Sequence, residues 1–191
     1  MIRRPPRSTR KESSAASDVY KRQISTSGIT PQIDKLSESI DVSLAISLHA
    51  PINELRDEIV PINKKYPISE LIKSCKSYLD SYDGKRSITI EYVLIDGVND
   101  SPELARKLTK LLSDVACKIN LIPFNPFDGS NYKRSSKKNI LEFKNILMKK
   151  GFITTLRITR GDAIDGACGQ LVGKLTKSVK GKKLISHQSI S

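Results

Sequence analysis

Four short stretches of the chain are rich in β-branched residues: VSLAISL (42–48), ITIEYVLI (88–95), KINLIP (118–123) and GFITTLRIT (151–159). Their near-continuous apolar character predicts strands buried on both faces. A further stub surrounds Ile24. The intervening stretches keep a different period. Ile68, Leu71, Ile72, Cys75 and Leu79 recur with the spacing of one helix face. Leu104, Leu108, Leu111, Leu112 and Val115 form a second face, opened by Ser101 as cap and Pro102 in the first turn. Ile140, Phe143 and Leu147 form a third, which starts near Ser135 or Ser136 and closes at Gly151. Strand and helix alternate without an internal repeat. That order predicts βαβ units, a parallel sheet with flanking helices and hence an α/β fold.

Ligands of parallel sheets and barrels bind at the C-terminal ends of the strands. The predicted ends read Ser25-Thr26-Ser27-Gly28, Ser47-Leu48-His49-Ala50-Pro51, Asp96-Gly97-Val98-Asn99-Asp100, Phe124-Asn125-Pro126 and Thr159-Arg160-Gly161-Asp162. Together they offer hydroxyls, amides, an imidazole, carboxylates and glycines, as a polar ligand site at a barrel mouth requires. Ordinary turn chemistry selects similar residues. His49 fits either a site or a structural role. Asp162 and Asp165 suit acid–base work or the capping of a turn. No His/Cys cluster has metal-binding spacing, and neither a Walker-type phosphate loop nor GxGxxG occurs.

With 191 residues the chain is long enough for one domain with a real core. Its three cysteines are widely spaced and do not form a disulfide framework, which points to a reducing, cytoplasmic setting. Cys75 and Cys117 follow apolar periods and read as core. Cys168, in RGDAIDGACGQ (160–170), lies among small residues that leave room for a large partner; a thiolate there is a candidate nucleophile. The formal net charge of +13 suits a polyanionic partner, or simply reflects lysine on solvated faces. Residues 1–23 lack periodicity and resemble translated adapter sequence, a non-native leader expected to lie outside the fold. Seven of the 33 basic and two of the 20 acidic residues fall in it, so the remainder keeps an excess of eight positive charges. Residues 176–191 form a basic tail. No apolar run approaches the length of a membrane span, and no partner membrane is expected.

Four long motifs carry a resemblance: VSLAISLHAPINELRDEIVPINKKYPI, IEYVLIDGVNDSPELARKL, CKINLIPFNPFDGSNYKRSS and TLRITRGDAIDGACGQLVGKL. They are similar, in order, to the radical S-adenosylmethionine (SAM) methyltransferases that methylate C2 of adenine in 23S rRNA, some of which also act on tRNA. The resemblance covers residues 24–175 and implies the C-terminal portion of a partial (β/α)6 barrel. By motif it implies Ser25, Ser47, Leu48, His49 and Asn125 as SAM contacts and Cys168 as the S-methylated carrier. In the implied chemistry a methyl group passes to the cysteine and is then added to adenine by a radical route that needs a [4Fe–4S] cluster and an electron donor. A monomer is implied. The chain departs from the family in having no CxxxCxxC, so it contains no metal ligands for that cluster, and this polypeptide alone is expected to be inactive. The alternatives are a non-catalytic basic RNA-binding half-barrel and the related adenine-C8 methyltransferase.

Overall fold

The computed structural model describes residues 23–39, 42–82, 86–127 and 129–157. Five strands alternate with helices: β1 (Gln23–Thr26), β2 (Ser43–Ser47), β3 (Ile88–Leu94), β4 (Cys117–Pro123) and β5 (Ile153–Leu156). The helices are α1 (Thr30–Ser39), α2 (Asn53–Ile59), α3 (Ile68–Asp80), α4 (Pro102–Leu111) and α5 (Lys137–Lys149), with a 3-10 turn at Pro61–Lys64. Gln23, assigned to the leader from sequence, is the first residue of β1 and pairs with Ser43. The rest of the leader, residues 158–175 and the basic tail lie outside the described residues.

All four strand pairings are parallel, and the sheet order is β1-β2-β3-β4-β5. Each crossover therefore advances one strand in the same direction. Right-handed crossovers then place every helix on one face, as in a barrel wall rather than a doubly wound sheet. The core follows from this winding. Leu44, Ile46 and Leu48 of β2 and its end, Ile88, Ile90, Tyr92 and Leu94 of β3, and Ile119 and Leu121 of β4 meet Leu71, Cys75, Leu108, Leu112, Phe143 and Leu147 of the helices and their ends.

The prediction of strands buried on both faces holds for β2, where Leu44, Ala45 and Ile46 are buried in succession, and fails for the others. In β3 buried and half-buried residues alternate strictly, and β4 alternates over most of its length. Only one face carries helices; the other is the concave inner face, where Ser47, Thr89, Glu91, Val93 and Asn120 keep contact with solvent. β1 and β5 are the sheet edges and are largely exposed.

The three predicted helices form where their apolar stripes fall. Ser101 and Ser136 accept from the backbone N–H of Leu104 and Asn139, at 3.2 and 3.1 Å, as capping side chains do. Gly151, at φ 88°, ends the last helical segment in a conformation that favours glycine. α1 and α2 were not predicted.

Candidate ligand site at the strand ends

The inner face is polar in a definite row. Strand register aligns Ser47 with Glu91, Glu91 with Asn120, and Asn120 with Thr155. Four adjacent strands thus contribute a hydroxyl, a carboxylate, an amide and a second hydroxyl at one level. Ser47 Oγ donates to Glu91 Oε2 at 3.5 Å, and Thr155 Oγ1 donates to Asn120 Oδ1 at 3.0 Å. Ser25 lies beside Ala45 on β1, on the same face. None of these side chains is fully buried.

Just beyond the row, β2 leaves the sheet by an unusual turn. His49 has φ 62°, the only positive φ of a non-glycine residue among those described. Ala50 N donates to the Leu48 carbonyl at 2.8 Å, closing a three-residue turn with His49 at its centre. The last regular ladder bond runs from Leu48 N to the Glu91 carbonyl at 3.0 Å. Where a further residue of β2 would have met β3, the imidazole substitutes: Val93 N donates to His49 Nδ1 at 3.2 Å. Nδ1 is thereby an acceptor, which leaves Nε2 as the protonated nitrogen. Burial, and next the Arg56 charge, lower the His49 pKa to about 4, against a smaller opposing effect of the Glu91 backbone.

Two side chains hold this turn. Asn99 is fully buried. Its Nδ2 donates to the His49 carbonyl at 2.8 Å and to the Val93 carbonyl at 2.6 Å, while Oδ1 accepts from Ile95 N at 2.7 Å. Asn99 thus continues the ladder that His49 interrupts. Arg56 of α2 is also fully buried. Its guanidinium donates to the carbonyls of Ser27 (2.6 Å), Ser47 (3.3 Å) and Leu48 (3.0 Å), and to Asn63 Oδ1 at 2.8 Å. Asn63 in turn donates to Asp57 and Asn53. One cation thus ties the ends of β1 and β2 together. Gly28 permits the approach: a Cβ there would lie 3.3 Å from an Arg56 terminal nitrogen and 3.2 Å from Leu71, and its φ is 107°.

The residues predicted as ligand contacts therefore gather at one end of the sheet. Ser25, Ser47, His49 and Asn125 stand on or just past the ends of β1, β2 and β4. Leu48 is placed differently: its side chain is buried in the core, and its backbone N–H and carbonyl are engaged by Glu91, Ala50 and Arg56. Cys168, Arg160, Asp162 and Asp165 lie outside the described residues. Cys75 is buried and Cys117 half-buried, as their periods predicted. Burial pushes their thiols up to about 12 and about 11, so neither is a reactive thiolate near neutral pH. Among the described residues no group of three His, Cys, Asp or Glu could hold a metal ion, and no helix is long and apolar enough to cross a membrane.

Sequence reasoning missed Arg56 and Glu91, and read Asn99 as part of a polar strand end and not as the support of the His49 turn. Arg56 sits in NELRDEI, which looks like a solvated helix, and Glu91 sits in a strand otherwise apolar. A lone charge inside ITIEYVLI was the available signal for Glu91.

No family model matches the chain. Several curated proteins do match it. Dual-specificity RNA methyltransferase RlmN of Marinobacter nauticus is 51% identical over 176 residues, which span 91% of this chain and 48% of that protein. RlmN of Pseudomonas entomophila is 56% identical over 159 residues, 82% of this chain and 42% of the relative. RlmN of Saccharophagus degradans is 58% identical over 158 residues, 82% and 40%. The chain spans under half the length of these relatives. Among solved structures, a radical SAM methyltransferase from Sphaerobacter thermophilus superposes with a TM-score of 0.73 at 47% identity, covering 78% of this chain and 43% of that one. A domain of pyruvate-formate lyase-activating enzyme from Bacteroides vulgatus gives 0.56 at 16% identity over 75% and 84%, a likeness of fold alone.

Proposed function

We propose, for a chain homologous over most of its length to the dual-specificity RNA methyltransferases, that it is the C-terminal part of a radical SAM enzyme that methylates C2 of adenine in 23S rRNA, and of tRNA as well. The observation that carries this reading is the agreement between homology and geometry: Ser25, Ser47, His49 and Asn125 converge on one sheet end. Reduced thiols and an RNA substrate suit the cytoplasm.

The donor set fits SAM. Hydroxyls of Ser25 and Ser47, the Glu91 carboxylate, the protonated Nε2 of His49 and the Asn125 amide supply both acceptors and donors for a zwitterionic nucleoside. When bound, SAM supplies a methyl group and the precursor of a radical. The turn at His49 fixes a donor that does not titrate near neutral pH, so it orients without exchanging protons. Arg56 and Asn99 hold that turn and touch no ligand; they are positioning residues. Cys168 is the proposed methyl carrier, on the strength of its GACGQ motif.

The cysteines of this chain do not fit an iron–sulfur cluster. Cys75 is buried and Cys117 half-buried, far apart in sequence, and cluster ligation needs several accessible thiolates together. The chain's excess of basic over acidic residues suits a second reading, a non-catalytic RNA-binding half-barrel.

A hybrid enzyme separates the two. The preceding half of the Marinobacter nauticus relative is joined to residues 24–191 and expressed in cells lacking adenine-C2 methylation. The reading expects C2-methyladenine in 23S rRNA by mass spectrometry, lost on Cys168→Ala. A folded hybrid that holds its cluster yet leaves adenine unmodified would sink it.

A further inference from the structure

Next to Asn125 the loop after β4 builds a feature that the preceding chemistry does not use. Its sequence is FNPFDGSNYKR, 124–134. Phe124 packs against Phe127 with ring centroids 6.2 Å apart, and edge-on against Tyr132 at 6.1 Å with the planes 86° apart. Phe127 keeps 47% of its surface exposed, high for a large aromatic residue in a pinned loop. Lys133 and Arg134 follow Tyr132 directly and are exposed.

The loop is anchored at both ends. Phe124 N donates to the Leu94 carbonyl at 2.9 Å, Asp96 N donates to the Lys133 carbonyl at 3.0 Å, and Arg134 forms an antiparallel bridge with Ile95. Ser130 N donates to the Phe127 carbonyl at 2.9 Å and Tyr132 N to Ser130 Oγ at 3.1 Å. These bonds fix a cluster of three rings at the end of the strands, and the exposed Lys133 and Arg134 follow Tyr132 in the same anchored segment. A hydrophobic core has no need for that arrangement, since the exposed Phe127 ring gains little from it.

We infer that the rings of Phe124, Phe127 and Tyr132 form a stacking platform for one unpaired base of single-stranded RNA, taken on Phe127, with the adjoining phosphates on Lys133 and Arg134. Aromatic faces accept any base by stacking, and neighbouring cations bind the backbone without reading sequence. The excess of basic over acidic residues in the chain is complementary to that ligand. This rests on RNA being the partner, as in the proposed function, but it concerns binding and not methyl transfer.

The test uses the whole 191-residue chain and a ten-nucleotide single-stranded RNA carrying one 2-aminopurine, with duplex RNA of equal length as competitor. Expected are saturable binding, quenching of the 2-aminopurine and weak competition by duplex. Phe127→Leu, which keeps apolar bulk and loses the ring, should weaken binding about tenfold and remove the quenching. Phe127→Trp should restore both. Lys133→Gln with Arg134→Gln should keep the quenching at saturation and lower the slope of log affinity against log salt by about 1.4. Unchanged affinity and quenching in Phe127→Leu would overturn the proposal, as would equal competition by duplex or the absence of saturable binding. The methylation experiment above can fail while this one succeeds, and the reverse, so the two readings fall separately.

Discussion

His49 does two jobs with two nitrogens. Nδ1 completes the sheet by accepting from Val93, and Nε2 remains a donor. The substitutions that separate them follow from side-chain shape. Asparagine tolerates positive φ, and its amide oxygen can accept in place of Nδ1. His49→Ala should cost about 2 kcal/mol in urea unfolding, through backbone strain and an orphaned Val93 N–H, whereas His49→Asn should keep most of the stability. pH adds a second check. The folded pKa of about 4 lies below the ordinary 6.5, so the neutral ring favours the folded state. Its contribution is intact above pH 6.5 and is lost as pH falls from 6.5 to 4. Urea midpoints at pH 7.5, 5.5 and 4.5 should fall in the wild type and fall less in His49→Asn. An equal fall in both would disprove the assignment. His49 was legible in the sequence as a candidate because it stands at a strand end. Its supports were not. Asn99 reaches it across 50 positions and Arg56 reaches Ser27 across 29, distances over which no local pattern operates.

Elements were legible in proportion to their apolar stripe. α3, α4 and α5 each set a row of large apolar side chains against the sheet, and the period reveals them. α2 has no such row: the residue it buries is Arg56, whose guanidinium is satisfied by backbone carbonyls. α1 buries Thr30 and Ile33, sets Leu36 against the core and packs on α3, an apolar stripe too thin to read. Strands β3 and β4 were recognised, but the inference about their two faces failed, since β-branched Thr89 and Val93 favour strand geometry whether or not they are buried. The caps were legible and carry a prediction. Ser136→Ala removes the oxygen that accepts from Asn139 N at the start of α5. It should lower stability by about 1 kcal/mol in the same urea assay, and Ser136→Asp should restore it.

For the whole molecule, charge outweighs ion pairing. The sequence carries +13, and the salt bridges Lys76–Asp114 and Lys107–Glu103 are exposed. Surface pairs of this kind contribute little, whereas like-charge repulsion acts on the entire fold. Salt should therefore stabilise the chain: raising sodium chloride from 20 to 300 mM is expected to raise Tm by roughly 1–2 °C, an effect of about 0.5 kcal/mol. A fall in Tm would show that attractive pairs dominate. Fold class was readable at this scale from the strand–helix order alone. Strand order was not, because neither winding direction nor neighbour relations are written in any local period.

The sequential sheet has a consequence for synthesis on the ribosome. Each strand pairs with the one made just before it, so no strand waits for a distant partner to emerge. Once β3 has left the exit tunnel, His49 can already dock on Val93 and Arg56 can already brace the ends of β1 and β2. Glu91 then faces Ser47 before Asn120 has been translated. The mouth of the sheet is therefore assembled in chain order, one βα unit at a time, with the aromatic loop added only after the histidine turn is set.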